Sequence, residues 1–411
     1  MRGLLGIAVI LLFAWAISEE RFRVPWRIVV VGVLLQFGLA LVFLKFPPAG
    51  AAFLLLNRAV DALQKATDAG TGFVFGYLGG AALPFAETKP GVSFIFAFRA
   101  LPLVLVISAL ATLLFHWGVL QRIVQGFAWV LRRSVGVGGP LGLGAAVHIF
   151  VGFIEAPLLI RPYLITLERG ELFALMSTGM AGIAGTVMVI YAALLGSVIP
   201  DALGNILIAA VISTPAALAL AALMVPFHPD PSPMAQLTMP DPPVSSMDAI
   251  AKGTQDGIVF LANIIAMLVV LVALVSLANS VLGLLPDLAG EPITLQRLFA
   301  YAFQPVMWLI GIPGPETATA AALMGTKTVL NEFIAYVDFA KLPADALSER
   351  SRIIMTYALC GFANFGSLGI LIGGMGAMVP ERRPEIVALG LRSILSGTLA
   401  TCMSGAVVGL L

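Results

Sequence analysis

The chain has 411 residues, 60% hydrophobic and 11% charged, with a mean hydropathy of +1.02. Soluble domains carry about 25% charged residues, so water cannot wet this exterior and lipid is the solvent. The net charge of +1 excludes a basic nucleic-acid-binding surface, and Cys360 and Cys402, with histidines only at 116, 148 and 228, show no metal or haem spacing.

A span needs about 20 apolar residues to cross roughly 30 Å of hydrocarbon. Residues 3–18 come first. They resemble a signal peptide, and Ala14-Trp15-Ala16 offers a cleavage triplet, but Glu19, Glu20, Arg21, Arg23 and Arg27 and a second apolar run follow at once. That order favours a first membrane span over a leader. The three arginines place the first loop on the cytoplasmic side, with the N-terminus outside. Further spans are expected at 26–46, 94–116, 173–198, 204–226, 257–284, 353–378 and 387–410.

Residues 54–67 set Leu56, Val60 and Leu63 against Arg58, Asp61, Lys65 and Asp68, the spacing of a helix lying in the interface. Residues 118–134 read the same way. Two other stretches, 138–163 and 311–340, are long enough to enter the membrane but are broken by Gly and Pro and carry ionisable groups. They are predicted to be re-entrant hairpins whose tips sit inside protein or line a wet cavity, because lipid leaves broken backbone unsatisfied. Their layouts match: Pro140 is followed 15 residues later by Glu155, Pro315 is followed 17 later by Glu332, and Phe127 and Phe303 precede the glutamates by 28 and 29. Each glutamate is followed by a Gly-punctured span, with Gly179, Gly182 and Gly185 in the first and Gly361 and Gly366 in the second. Matching interrupted segments in two halves point to a transporter binding site.

The fold expected is an all-α polytopic membrane protein with about eight transmembrane helices, two re-entrant hairpins, interfacial helices and an inverted repeat. Its parts are N-terminal spans and an interfacial helix (1–93), a first repeat (94–226), a Pro-rich loop (227–256), a long scaffold span (257–284) and a second repeat (285–411).

An acid at mid-membrane costs at least about 2.5–3.5 kcal/mol, so Glu155 and Glu332 each need a partner, a proton or a ligand. The bland alternative is a glutamate that snorkels or caps a hairpin helix. Asn364 and Ser367 are three apart, on one face of a helix, and suit sugar hydroxyls or bonds between packed spans. His148 lies two helical turns before Glu155 and is either a proton relay, a gate or a satisfied core group. Lys327 either pairs with an acid or reaches the interface. No nucleophile–base pair is visible, so no enzyme is expected.

The stretches AAVHIFVGFIEAPLLIRPYL, ELFALMSTGMAGIAGTVM, MGTKTVLNEFIAYVDFA and CGFANFGSLGI closely resemble the signatures of concentrative nucleoside transporters, as do FVFGYLGG at 73–80 and FAFRALPLVL at 97–106. The likeness runs from about residue 50 to the C-terminus. It implies eight spans, two opposed hairpins, a homotrimer in the bilayer, an inner-membrane location and elevator-like movement of a nucleoside. By match, Glu332, Asn364 and Ser367 would hold the ribose hydroxyls and Glu155 would lie beside the base. Phe153 would stack on a base face and Ile154 would replace an edge contact, with Asn331 and Phe365 in the same site.

The sequence departs from the family at the first hairpin tip. Gln-Thr-Glu-Ala-Pro is common there, and here the run is Phe153-Ile154-Glu155-Ala156-Pro157. A sodium-coupled member has Asn where His148 stands and serines near Ala181 and Gly182. The expectation is therefore a proton as coupling ion, carried by Glu155 or His148, and no other cofactor. The alternatives are another polar, ribose-like solute on the same fold, or a passive pore.

Overall fold

The computed structural model describes residues 2–87, 93–196, 198–228, 241–287, 290 and 292–411, and every regular element among them is helical. The first two spans are α1 (Arg2–Ala16) and α2 (Trp26–Lys45). The interfacial stretch 54–67 lies inside a longer helix, α3 (Pro47–Phe75). The side chains of Leu56, Val60 and Asp61, on which its two faces partly rest, lie outside the described residues. The third span is bent at Ala100–Pro102 into α4 (Phe96–Arg99) and α5 (Leu103–His116). The amphipathic α6 (Val119–Ser134) buries Val124, Ala128 and Leu131 and ends on exposed Arg132 and Arg133.

The first hairpin has limbs α7 (Gly139–Val147) and α8 (Glu155–Leu159). The stretch 173–198, expected as one span, is two half-helices, α9 (Arg169–Ala181) and α10 (Gly185–Leu195), interrupted at 182–184. They are followed by α11 (Ala202–Met224) and α12 (Ser246–Leu282). The second half runs through α13 (Leu295–Leu309), the hairpin limbs α14 (Thr317–Val329) and α15 (Glu332–Ala340), then α16 (Glu349–Leu359), α17 (Phe365–Met378) and α18 (Arg383–Leu410). Here too an expected continuous span, 353–378, is broken, at 360–364. Neither interruption contains proline; a glycine-containing unwound segment suffices because partners elsewhere take up the freed backbone groups.

α12 begins at Ser246, so part of the expected 227–256 loop is helical. The Ser245 hydroxyl accepts from the Asp248 N–H, and Lys252 pairs with Asp241 at 2.8 Å and Asp248 at 3.4 Å. At about 1.5 Å per residue this helix is roughly 55 Å long, well beyond the roughly 30 Å of hydrocarbon, so its first turns project from the membrane. Residues 229–240 of the Pro-rich loop lie outside the described residues.

Helix α11 sits at the centre, buried along its length. Gly32 of α2 lets the backbones close: a Cβ there would lie 2.9 Å from the Pro215 carbonyl oxygen. A polar clasp joins three helices at the same level. The Gln36 amide donates to the Ser404 hydroxyl at 3.0 Å, and Ser404 lies 2.8 Å from the Ser213 hydroxyl. Lipid offers no hydrophobic drive between helices, so small residues and such bonds do the holding.

The second half repeats the first element by element. An amphipathic helix (α6, α13) leads to a hairpin (α7–α8, α14–α15), a broken span (α9–α10, α16–α17) and a closing span (α11, α18). A hairpin returns to its own side, so each repeat, with its leading span α5 or α12, crosses three times. An odd number of crossings inverts the second repeat.

α5 and α12 form a pair of their own. A Cβ on Gly253 would lie 2.7 Å from the Ala109 Cα, and one on Gly257 would lie 3.1 Å from the Leu105 Cα. Gly253→Leu is therefore expected to destabilise this pair by about 1–3 kcal/mol. Gly38→Leu, where nothing among the described residues lies within 4 Å, is expected to leave the melting temperature of the detergent-purified protein unchanged. Equal melting of the two variants would refute the close approach.

Candidate functional site

The two helix interruptions lie against each other. The Phe362 N–H donates to the Gly182 carbonyl at 3.1 Å, and the Gly185 N–H donates to the Phe150 carbonyl in the first hairpin turn, also at 3.1 Å. Gly361 makes the crossing possible: a Cβ there would lie 3.0 Å from both the Met180 and Ala181 carbonyl oxygens. Unwound backbone is tolerated at membrane depth only when it is buried in protein and partnered, and these bonds supply that.

Glu332 is the first residue of α15, 4% exposed, and its carboxylate is held from two directions. The Tyr191 hydroxyl on α10 donates to Oε1 at 2.7 Å, and the Asn364 amide donates to Oε2 at 2.9 Å. Asn364 is fixed in turn, because its own side-chain oxygen caps α17 by accepting from the Ser367 N–H at 2.7 Å. The positive ends of α15 and α17 thus converge on one carboxylate, the sign of charge they favour. Four acceptor positions exist on a carboxylate, and these donors fill one on each oxygen, with the Glu332 backbone N–H also acting on the group.

The other residues expected in the site divide between this cluster and its surroundings. Asn331 precedes Glu332 and spends its side-chain oxygen on capping α15 through the Ile334 N–H at 2.9 Å. Phe365 is 43% exposed and meets Phe299 edge to face at 5.9 Å between ring centres. Phe153 packs on Phe362 at 4.9 Å, so the first hairpin tip touches the interruption of α16–α17. Ile154 turns the other way and packs over Gly374, where a Cβ would lie 2.6 Å from its Cδ1.

Glu155 is the first residue of α8, the counterpart of Glu332, but its surroundings differ. It is exposed, it folds back over Gly152, and Asp256 of α12 is near enough to act on it electrostatically. Among the described residues no hydrogen bond joins it to the Glu332 cluster. His148 is 3% exposed at the end of α7, and its Nε2 has no hydrogen-bond partner among the described residues. The ring packs on Gly179, where a Cβ would lie 3.1 Å from Cε1 and 2.9 Å from the Phe153 Cβ.

Lys327 does not reach the interface. It is fully buried, and its ammonium donates to the Ala358 carbonyl at 2.9 Å and the Thr401 hydroxyl at 3.1 Å. A cation at the C-terminal carbonyls of α16 meets the negative end of that helix. Two features escaped the sequence reading. Tyr191 is a lone phenol in the apolar run VMVIYAALL, and a buried phenol must find an acceptor, which was the available signal. Phe333, beside Glu332, stacks on Phe96 of α4 at 4.4 Å.

Residues 205–409 match the sequence family described as Na+ dependent nucleoside transporter C-terminus, and residues 5–78 match its N-terminus. Residues 97–198 match the family described as Nucleoside recognition. An uncharacterized transporter of Haemophilus influenzae is 35% identical over 423 residues, covering 100% of this chain and 97% of that protein.

The chain belongs to the concentrative nucleoside transporter family. Members of this family are integral membrane transporters, not enzymes. Human Solute carrier family 28 member 3 is 33% identical over 424 residues, spanning 99% of this chain and 59% of that longer protein. The structure of CNTnw in an inward-facing substrate-bound state superposes with a TM-score of 0.89 at 32% identity, covering 100% of this chain and 98% of that one. A CNTnw variant in an outward-facing state superposes at 0.90.

The anchoring of α16 carries a stability consequence. Lys327→Met keeps the volume but strips the Ala358 carbonyl and the Thr401 hydroxyl of their donor, which is expected to cost about 1–3 kcal/mol. The check is a lower melting temperature in detergent; an unchanged one would remove Lys327 from the anchoring of α16.

Proposed function

We propose that this concentrative nucleoside transporter is a secondary active importer of nucleosides, coupled to protons and working by elevator-type movement. The observation that carries the reading is the buried Glu332 carboxylate, held on one oxygen by Tyr191 and on the other by Asn364. Two adjacent sugar hydroxyls are the natural donors for such a group, and a site built around hydroxyl-binding groups rejects analogues lacking them. The family descriptions for nucleoside transport and nucleoside recognition support the same cargo. Phe153 and Glu155 are assigned to the base end, with Asn331, Phe365 and Ser367 completing the sugar end; Ile154, packed over Gly374, is not assigned a contact with the base.

The chemistry of the first interruption supports protons. Sodium, a hard cation, takes oxygen ligands. Residues 181–185 read Ala-Gly-Ile-Ala-Gly and bring no side-chain oxygen, and the adjoining His148 offers a nitrogen. Glu155, exposed and within electrostatic reach of Asp256, and His148, whose Nε2 has no partner among the described residues, are the groups proposed to carry the coupling proton. One charge crossing about 100 mV yields roughly 2.3 kcal/mol, enough for about 50-fold accumulation.

Packing supports the movement. The hairpins, broken spans, α11 and α18 share one continuous core with α1, α2 and the start of α5, whereas α12 lies mostly outside it and closes on α5 through glycine contacts. The membrane-facing length of α12 is unburied within one chain, with Val259, Val269, Leu274, Leu277 and Val281 all exposed. We assign this face to the axis of a homotrimer in the bacterial inner membrane.

Proteoliposomes test the coupling. An inside-alkaline pH gradient without sodium is expected to drive labelled nucleoside above its external concentration. Accumulation driven by a sodium gradient at equal pH would overturn the proton reading. Glu332→Gln is expected to abolish uptake while leaving the melting temperature and the size-exclusion profile of the assembly intact. Normal uptake by that variant would remove Glu332 from the site.

A further inference from the structure

We infer that Tyr191 is a positioning residue that sets the orientation of the Glu332 carboxylate and thereby the discrimination between sugars. The inference rests on the reading of Glu332 as the sugar-binding group. Tyr191 is 3% exposed, so its hydroxyl must be partnered within the protein. The neighbouring Tyr336 satisfies the same need with a backbone carbonyl, that of Thr356, at 2.8 Å. Tyr191 instead spends its hydroxyl on the carboxylate, at 2.7 Å.

Two roles are compatible with that bond. The hydroxyl could occupy the place of a sugar hydroxyl in the empty site and leave when cargo arrives. Alternatively it stays, and fixes which acceptor positions remain for the cargo. The packing decides between them. The Tyr191 ring lies 5.1 Å from the Tyr336 ring and 6.2 Å from the Phe333 ring, and a phenol wedged between two aromatic neighbours cannot swing aside without unpacking both.

The second donor is equally constrained, because Asn364 is held through its cap on Ser367. The carboxylate is thus gripped on one oxygen from α10 and on the other from α17, which fixes the directions of the acceptor positions that remain. Two hydroxyls on adjacent carbons can bridge those positions only while the carboxylate plane is held. Tyr191 itself need not touch the cargo.

Tyr191→Phe keeps the ring and removes only the hydroxyl. The test is equilibrium binding of uridine, adenosine and their 2′,3′-dideoxy counterparts to the purified full-length protein, with a melting curve for each variant. The expected result is dissociation constants for the two ribonucleosides raised by about 3- to 10-fold, the worth of about one net hydrogen bond. The dideoxy compounds, which have no hydroxyls for Glu332, are expected to bind both proteins alike.

Equal weakening for all four ligands would mean a general loss of structure and would overturn the inference, as would no change for any. Tighter ribonucleoside binding by the variant would show the hydroxyl to be a displaced stand-in, and would also overturn it. If the wild-type protein binds uridine and dideoxyuridine equally, the assignment of Glu332 to the sugar fails first. A wild type that discriminates, with a variant that matches it, sinks the role of Tyr191 alone.

Discussion

A bilayer provides no water for peptide groups, and the bond from the Phe362 N–H to the Gly182 carbonyl is where this chain meets that demand. Two spans are interrupted at their middles, which frees several N–H and C=O groups far from the interface. Each interruption partly satisfies the other, and the first hairpin turn contributes the Phe150 carbonyl to Gly185. The side chains that give the site its chemistry hang from this row of shared bonds. Asn364 begins the half-helix below one interruption, Tyr191 lies on the half-helix after the other, and Glu332 starts the limb of the opposing hairpin. The close contact depends on the missing side chain at Gly361.

The inverted halves place a glutamate at the first position of the second limb of each hairpin, yet the two acids live differently. Glu332 has two donors and is buried, whereas Glu155 is exposed over Gly152 and near another acid. Repetition supplied the scaffold twice, and local substitution separated the chemistry. The first hairpin tip shows the same divergence, with Phe153 folded onto Phe362 and Ile154 sealed over Gly374. Lys327 shows how a charge can be placed in the interior, bonded to a helix carbonyl and still near enough to the Glu332 carboxylate to act on it electrostatically.

Much of the architecture was legible because lipid imposes long apolar runs, and because Gly-Pro followed by Glu stands out twice within them. The signature motifs likewise pointed to Glu332, Asn364 and Ser367 as one group, and the structure links them through consecutive hydrogen bonds. The glycines marked 173–198 and 353–378 as punctured spans, but where each helix stops was hidden for a physical reason. Gly182 and Gly361 are ordinary residues in a chain with 42 glycines, and what unwinds the helix there is a partner far away in sequence. Tyr191 was missed on the same ground, since its acceptor lies 141 residues along the chain. The direction of Ile154 was beyond reach because spacing in an irregular turn does not say where a side chain points. Part of the 227–256 segment proved helical because a serine cap and lysine–aspartate pairs outweighed its polar composition.

The stacked rings of Phe96 and Phe333 join the segment leading into α5 to the hairpin that carries Glu332. Any relative sliding of those two bodies must peel the rings apart. An aromatic pair contributes about 0.5–1.5 kcal/mol beyond the apolar area it buries, so parting these rings would cost both terms together.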